Sequence, residues 1–318
     1  MRTKNQANID SQKNTIYTIV NPMSSNGKTG KRWPKYRKKF KEAGLDLHIK
    51  ETHYPGHAVD LTKTGLNKGY KTIMAVGGDG TVNEIVNGFF ENGKLINQDA
   101  SLLIFSQGTG SDYVKSLGLD KKIETVIEVY NRYEKKWVDL GKMKYNNFDQ
   151  KEVQRYFVNT ADVGIGGETV EYVNRASKLM GGILTYLFGA VRTLIKYENK
   201  IMKIEIDKKE VRNSLTNSVM VSLGKYFAGG MPIAPEAEID DGYFDILILG
   251  NFSKTETLLN LYRAYQGTHL DYPKIDYLKG KHIKIDSKER VLIDIDGESA
   301  GMLPAEFTIL KERFPVLI

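Results

Sequence analysis

The chain has 318 residues, no cysteine and a formal net charge of +7. The absence of cysteine excludes disulfides, thiolate metal sites and a cysteine nucleophile. The length allows two domains, and the most apolar long stretch, residues 179–191, is shorter than the roughly 20 residues that a membrane span needs. Residues 1–14 are polar and lack the apolar core of a signal peptide, so we expect a flexible tail and a cytoplasmic protein.

Strands and helices alternate from residue 15 to about residue 134. Apolar runs at 15–20, 45–52, 72–76 and 101–105 predict strands. A basic helix ending near Gly44, a helix at 56–67 and one at 82–89 are predicted between them. This alternation indicates a parallel sheet with helices on both faces. Ligands of such sheets bind beyond the carboxyl ends of the strands, where three loops rich in glycine and hydroxyl groups follow their strands, at 21–28, 77–81 and 107–112.

Eight basic residues lie close together around Trp33 and Tyr36, namely Lys28, Lys31, Arg32, Lys35, Arg37, Lys38, Lys39 and Lys41. We interpret them as the solvated face of a helix. No RNA-binding or helix-turn-helix pattern accompanies them, so we expect no nucleic-acid partner. Contact of this region with an anionic membrane surface stays open.

Strand patterns dominate from about residue 135. They lie at 137–141, 156–159, 200–206, 218–223, 243–249, 281–285, 290–295 and 306–310. Many short strands separated by turn residues predict an antiparallel β-sandwich. Helices are predicted at 176–197 and 254–266, and a loop at 146–151. The first of these helices carries the apolar residues Leu179, Met180, Ile183, Leu184, Leu187 and Phe188. We expect these residues either to contact an acyl chain or a membrane or, equally, to pack in the core of the second domain.

The most informative motif is Gly77-Gly78-Asp79-Gly80-Thr81, between a predicted strand and a predicted helix. Unpaired N–H groups and the positive end of a helix dipole favour a phosphate there. The alternative is an ordinary turn in which Asp79 caps the helix. The Asn21-Pro22-Met23-Ser24-Ser25 loop is a weaker phosphate-binding candidate. The Gly108-Thr109-Gly110-Ser111-Asp112 loop is a further one, with a plain helix cap as its alternative.

Two acidic segments lie in the second half, Asp240-Asp241-Gly242 and Asp294-Ile295-Asp296-Gly297-Glu298. Each Asp-Gly pair is by itself a turn signal. Their carboxylates are nevertheless the ligands that Mg²⁺ prefers, and Mg²⁺ neutralises the charge that builds during phosphoryl transfer. A carboxylate free of the metal can take a proton from a hydroxyl group.

Together these segments resemble the bacterial soluble diacylglycerol kinases, a family related to sphingosine and ceramide kinases. The resemblance also includes Thr52 with Gly56-His57-Ala58, Val138-Asp139-Leu140-Gly141, and Gly229-Gly230 with Pro235 and Ala237. It extends from Asn21 to Glu298, and the order and spacing of the motifs make it specific.

The resemblance implies a role for each matching residue. ATP would be bound by Asn21, Pro22, Met23, Ser24, Ser25, Thr52, Gly78, Asp79, Gly80, Thr81, Val82, Asn83, Glu84 and Thr109. Asp112, Asp139, Asp241 and Glu298 would form a carboxylate–water–Mg²⁺ network, and Asp79 would help to orient the triphosphate. A structural metal would be held by the Asp241 side chain and by the backbone carbonyls of Glu238 and Tyr243. Glu298 would be the proton acceptor for the lipid hydroxyl.

The fold implied is α/β plus β. A Rossmann-like nucleotide domain at 15–134 would be followed by a β-sandwich lipid domain at 135–302, with residues 303–318 able to return to the first domain and the active site in the cleft. The expected activity is that of an ATP- and Mg²⁺-dependent kinase, with diacylglycerol as the favoured acceptor. The protein would meet this lipid as a peripheral protein at the inner face of the membrane. A homodimer is compatible with the resemblance.

The sequence departs from the family at two positions. Ser111 replaces the usual Asn, and the Asp of a Gly-Phe-Asp pattern is absent around residues 164–167. Both departures bear on which lipid is the acceptor. The alternatives are an NAD kinase, whose family carries the same glycine turn, and a catalytically silent nucleotide- or lipid-binding protein of the same fold.

Overall fold

The computed structural model describes residues 15–180 and 193–318, with the side chains of 173–180 left out. The candidate acyl-chain contacts predicted between Leu179 and Phe188 lie outside the described side chains. The chain divides into two compact units. The first comprises the described residues up to Val138 together with Phe314–Ile318, and the second comprises Asp139–Arg313. The return to the first unit, expected from about residue 303, therefore lies at Phe314.

The first unit is built on a six-stranded sheet in the order β2-β1-β3-β6-β19-β7. Its strands are β1 (Ile16–Val20), β2 (Leu47–Glu51), β3 (Thr72–Gly77), β6 (Ser101–Ser106), β7 (Lys135–Val138) and β19 (Phe314–Leu317). Every pairing is parallel except that of β19 with β7. A two-stranded ribbon, β4 (Phe90–Glu91) with β5 (Lys94–Leu95), stands apart. The predicted parallel sheet is confirmed.

Helices cover this sheet. They are α1 (Lys28–Glu42), α2 (His57–Asn67), α3 (Asp79–Gly88), α4 (Asp112–Ser116) and α5 (Ile123–Arg132). The basic helix α1 buries Trp33 and Phe40 in a core with Met74 and Phe105. Its lysines and arginines from residue 31 onward are exposed, so the buried apolar residues hold this helix against the sheet.

The second unit is dominated by an eleven-stranded antiparallel sheet. Nine of its strands lie in the order β12-β11-β16-β18-β17-β10-β13-β14-β15, and β8 pairs with both β18 and β9. The strands are β8 (Gly141–Asn146), β9 (Glu152–Phe157), β10 (Thr160–Gly164), β11 (Lys200–Ile206), β12 (Lys209–Thr216), β13 (Ser218–Ser222), β14 (Phe244–Leu249), β15 (Ile275–Gly280), β16 (His282–Asp286), β17 (Leu292–Ile295) and β18 (Glu298–Ile309). The helices are α6 (Ile165–Met180) and α7 (Lys254–Tyr265).

This sheet folds over a large core, and a second, smaller cluster that includes Met220, Leu247 and Ala264 lies in the same unit. Strands from opposite ends of the order contribute to one apolar cluster, for example Ile204 of β11 and Ile246 of β14. A Cβ atom on Gly280 of β15 would lie 2.4 Å from the Ile206 side chain of β11. Because sequentially distant strands meet in this way, the second unit has the two-layered arrangement that the strand pattern predicts.

The predicted start of the helix at residue 176 is wrong, since α6 begins at Ile165. Gly166 and Gly167, which usually interrupt helices, are required here by close packing on the sheet. A Cβ atom on Gly166 would lie 1.9 Å from Asp162 Oδ2, and one on Gly167 would lie 2.6 Å from the backbone of Leu292. The strand predicted at 137–141 is also wrong, because β7 ends at Val138 and β8 begins at Gly141.

The loop predicted at 146–151 corresponds to the turn between β8 and β9. Within residues 15–180 and 193–318, none of the helices combines the length and the apolar character needed to cross a bilayer.

Candidate functional site

The three suspected loops of the first unit follow adjacent parallel strands. They come after β1, β3 and β6, which are neighbours in the sheet, so the loops lie along one edge. The first loop makes a tight turn in which Ser25, Asn26 and Gly27 all have positive φ, at 52°, 57° and 78°. Ser25 Oγ donates to the carbonyl of Gln107 at 2.5 Å, which ties the first loop to the third.

The first loop is also tied to the glycine turn. Asn21 donates through Nδ2 to Thr81 Oγ1 at 3.0 Å and through its backbone N–H to the carbonyl of Val76 at 2.8 Å. The glycine turn meets the third loop backbone to backbone, because a Cβ atom on Gly108 would lie 2.7 Å from Gly78 Cα. The three loops therefore form one contiguous surface, and glycine is required where two of them touch.

Asp79 lies at the first position of α3, and its carboxylate faces the third loop. Oδ1 accepts the N–H of Tyr113 at 3.3 Å, at the start of α4. Burial and the nearby Asp112 carboxylate raise the pKa of Asp79 above its ordinary value, and N–H bonds from residues 111–113 oppose this rise. Asp79 thus holds the third loop in place through its hydrogen bonds. This is a positioning role, which does not require its carboxylate to face a phosphate directly.

Glu84 connects α3 to the loop after β2. Its Oε1 accepts the N–H of Gly56 at 2.8 Å, and its Oε2 accepts the N–H of Ala58 at 3.1 Å. Thr52 begins this loop and donates its backbone N–H to the carbonyl of Val20 at 2.9 Å. The fourth loop expected at the nucleotide is therefore fastened to α3 by one carboxylate.

The remaining nucleotide candidates differ in exposure. Met23 and Thr109 are exposed, whereas the side chains of Thr81, Val82 and Asn83 are buried. Pro22 packs against Gly30, where a Cβ atom would lie 3.0 Å from Pro22 Cβ. Because no side chain caps α3 at Gly78 in the described structure, the Gly80 and Thr81 region offers backbone N–H donors and a helix dipole to an anion.

Acidic side chains of the second unit meet at the turn before β14. Asp139 is buried, and its Oδ2 accepts the N–H of Gly242 at 2.6 Å while its Oδ1 lies 3.3 Å from Arg313 Nε. Burial raises the pKa of Asp139, whereas the Gly242 N–H and the Arg313 guanidinium lower it. The structure therefore brings Asp139 and Asp241 to the two sides of one glycine turn, and Arg313 Nη2 donates to the carbonyl of Asp240 at 2.5 Å.

The donors predicted for a structural metal lie in the same turn. Asp241 Oδ1 accepts the N–H of Tyr243 at 2.9 Å, and Asp241 Oδ2 accepts from Lys279 Nζ at 2.6 Å. One carboxylate and two carbonyls, those of Glu238 and Tyr243, suit a hard cation. In this structure, however, the Lys279 ammonium group contacts the carboxylate oxygen that a metal would use. Among the described side chains, no group of three or more His, Asp or Glu residues converges as a metal site.

Glu298 lies just after the hairpin turn between β17 and β18. Asp296 and Gly297 both have positive φ, 49° and 86°, as a two-residue hairpin requires. Glu298 Oε2 lies 2.6 Å from Arg155 Nη2. Arg155 comes from β9 and also forms a hydrogen bond with the Tyr145 hydroxyl group. The Asp-Gly pair therefore forms the predicted turn and also places a partly exposed carboxylate beside a guanidinium.

Sequence patterns did not single out Arg155, Lys279 or Arg313. Each lies in a segment whose neighbours show no motif, and each meets its carboxylate across a large separation along the chain, as Arg155 does with Glu298. Charge alternation alone cannot identify such partners, because a lone cation is usually solvated. Lys121, in the loop between α4 and α5, donates to the carbonyls of Gly108 and Thr109 at 3.0 and 3.3 Å and was not predicted either.

Two domain families match the chain. The diacylglycerol kinase catalytic domain matches residues 15–143, and the YegS C-terminal NAD kinase beta sandwich-like domain matches residues 130–318. The two matches together run through both compact units. They agree with the α/β plus β architecture.

Curated relatives span nearly the whole chain. Diacylglycerol kinases from Staphylococcus haemolyticus (strain JCSC1435) and Bacillus subtilis (strain 168) are 31% and 28% identical to it, and each match covers 94% of this chain. The matches cover 86% and 95% of those relatives. The crystal structure of a proposed diacylglycerol kinase from Bacillus anthracis str. Sterne aligns with a TM-score of 0.72 at 28% identity, over 96% of this chain and 95% of that chain. Yeast NADH kinase complexed with NADH aligns at a TM-score of 0.55 and 11% identity, over 95% of this chain and 83% of that chain, which shows a shared fold.

Proposed function

Since this chain belongs to the diacylglycerol kinase family, we propose that it transfers the terminal phosphate of ATP to the hydroxyl group of diacylglycerol and forms phosphatidic acid. The observation that carries this proposal is the joined edge of the parallel sheet. There the Asn21 loop, the glycine turn and the Gly108 loop are fastened to one another. Such a surface offers backbone N–H groups to the phosphates of a nucleotide.

The first unit supplies the nucleotide side of the proposed reaction. Backbone N–H groups near Gly80 hold phosphate oxygens, and Asp79 keeps the Gly108 loop beside them through α4. Glu84 fixes the loop that contains Gly56. These groups act by positioning, which is the main contribution a protein makes to phosphoryl transfer.

The second unit supplies the acceptor side. Glu298 takes the proton from the lipid hydroxyl as its oxygen bonds to the γ-phosphorus, while the bond to the bridging oxygen breaks and ADP leaves. Arg155 holds Oε2, so we assign the proton to Oε1. Mg²⁺, when bound, neutralises charge on the phosphate oxygens. Asp112, Asp139 and Asp241 are the carboxylates we propose for it, with Asp241 and the Glu238 and Tyr243 carbonyls at a structural position.

The test is a transfer assay with radiolabelled ATP, with Mg²⁺ or with a chelator. The acceptors are diacylglycerol, ceramide, sphingosine and NAD⁺, each in the same detergent micelles. We expect labelled phosphatidic acid only with Mg²⁺, and a roughly 100- to 10,000-fold slower reaction for Glu298→Gln, as for loss of a general base. Glu152→Gln, in an exposed glutamate of β9, is the matched control.

The outcomes separate the alternatives. Label in NAD⁺ alone would support an NAD kinase. ATP binding without label in any acceptor would indicate a silent nucleotide-binding protein. Equal rates for wild type and Glu298→Gln would show that Glu298 is not the proton acceptor.

A further inference from the structure

The helix α7 presents large apolar side chains to solvent and buries the polar Asn260. Leu258 is 57% exposed and Tyr262 is 64% exposed, whereas Asn260 is 5% exposed. The exposed apolar set, here called the Leu258 face, consists of Leu258, Leu259, Leu261, Tyr262 and Tyr265. Four of these are spaced as one side of a helix, at positions 258, 261, 262 and 265. A helix on the surface of a globular protein normally has the opposite arrangement.

Polar contacts on the inner side hold the helix in this orientation. Ser253 and Glu256 form a capping box, and Glu256 also accepts from the Tyr272 hydroxyl at 2.7 Å and from Lys274 Nζ at 2.8 Å. At the other end, Arg263 donates to the carbonyl of Thr268 at 3.0 and 2.7 Å. Rotation of α7 to bury its leucines would break these bonds, so the outward placement of the Leu258 face is built into the fold.

The exposed charge on α7 itself is positive. Lys254 is exposed at the start of α7, and the exposed residues from 254 to 266 include no Asp or Glu. The one glutamate of the helix, Glu256, is turned inward toward Lys274. At the far end, the Tyr265 hydroxyl donates to the carbonyl of Ala228 at 3.1 Å, in the loop that follows β13. Leucine and tyrosine side chains flanked by lysine suit a bilayer interface with anionic headgroups.

We propose that the Leu258 face docks on the surface of an anionic lipid bilayer. This inference rests on the proposed function, because an enzyme whose acceptor is a membrane lipid has to reach it at the bilayer. A second copy of the chain is less suited as the occupant. A two-fold interface places the same patch on both sides, and this patch has no exposed carboxylate to meet Lys254.

The test compares vesicle binding by the full-length wild type, the double variant Leu258→Ser/Tyr262→Ser, and the control Val211→Ser/Leu215→Ser. The control residues are apolar and each is 41% exposed on β12 of the same unit. In co-sedimentation with vesicles of equal parts phosphatidylcholine and phosphatidylglycerol, we expect a loss of about tenfold or more in partitioning for the Leu258 variant, from the apolar area withdrawn from the interface. The control variant should bind as wild type does, and thermal melting should show all three proteins folded.

Activity separates this inference from the proposed function. With a short-chain diacylglycerol that dissolves in water, the Leu258 variant should be as active as wild type. With a long-chain diacylglycerol held in vesicles, the variant should be slower than wild type. Equal vesicle binding by the variant and wild type overturns the proposal. So does a change from dimer to monomer in the variant by light scattering, which would assign the face to a second copy. If wild type phosphorylates no lipid in either form, the proposed function fails. The vesicle-binding comparison still tests whether the Leu258 face docks on a bilayer, because it does not depend on activity.

Discussion

Arg155 and Glu298 form a salt bridge between β9 and the start of β18, with 2.6 Å between Nη2 and Oε2. The two residues are 143 positions apart in the chain. Burial lowers the pKa of the Arg155 guanidinium, but Glu298 outweighs this effect and the net pKa is raised. A permanently charged, well-anchored donor thus fixes one oxygen of the proposed proton acceptor.

Arg155→Met should slow phosphoryl transfer by roughly 10- to 100-fold through kcat, with little change in KM for ATP, since Glu298 would lose its fixed orientation. Arg155→Lys should recover part of the rate, because a lysine can keep the charge without the planar fork. Steady-state kinetics with a melting curve for each variant make the comparison. A change confined to KM for ATP would show that Arg155 serves the nucleotide instead.

Asp162→Asn should stabilise the protein at pH 8. Burial raises the pKa of Asp162 to about 7, and Asp294 lies directly opposite it on β17 with a pKa raised in the same direction. The folded state therefore binds more protons than the unfolded state between pH 4 and 7, so this residue lowers stability as the pH rises through that window.

Urea denaturation at pH 5 and at pH 8 tests this expectation. The gain for Asp162→Asn should be about 1–3 kcal/mol at pH 8 and smaller at pH 5. Ser218→Ala, which removes the hydroxyl that donates to Asp162, should instead raise the pKa further and reduce stability at pH 8. A gain for Asp162→Asn that is equal at both pH values would contradict the titration.

Glu84→Ala should weaken ATP binding about tenfold and destabilise the first unit by roughly 1–3 kcal/mol, because two backbone N–H groups lose a charged acceptor. Glu84→Gln keeps one acceptor oxygen and should have an intermediate effect. Nucleotide titration by calorimetry and thermal unfolding measure the two quantities. Unchanged affinity in Glu84→Ala would separate the Gly56 loop from the nucleotide.

Lys279→Met should make the second unit more responsive to Mg²⁺. Without the ammonium group on Asp241 Oδ2, the carboxylate is open to a metal, and stabilisation by a bound ion reaches roughly 2–3 kcal/mol at a hundredfold excess over Kd. The thermal shift with Mg²⁺ should be larger than in wild type for Lys279→Met and absent for Asp241→Asn. Lys284→Met, at an exposed position on β16, should respond as wild type does.

The parallel sheet and its loops could be predicted because their signals are local. Each strand of 72–76 or 101–105 is an apolar run followed at once by its glycine loop, and parallel order places those loops at one edge. The β-rich second unit was predicted as a class, but its helix start at Ile165 was not. Gly166 and Gly167 are set by contacts with Asp162 and Leu292, and no neighbouring residue indicates such contacts.

The site shows the same division. Asp79, Glu84 and Glu298 belong to recognisable motifs, whereas Arg155, Lys279 and Arg313 gain their meaning from carboxylates that lie far away along the chain. The tertiary fold of the second unit, and no local pattern, brings such partners together. A single sequence therefore indicates the acidic members of the site and leaves their cationic partners unidentified.

The strand β19 has a consequence for biosynthesis. It lies between β6 and β7 and pairs with both, yet residues 139–313 separate it from the rest of its own sheet. On the ribosome, the edge that carries the three loops emerges early, but the sheet behind it stays open until the whole second unit has been translated. Until then β6 and β7 expose unpaired backbone that can attract other chains, so a nascent chain stalled within the second unit should depend on chaperones.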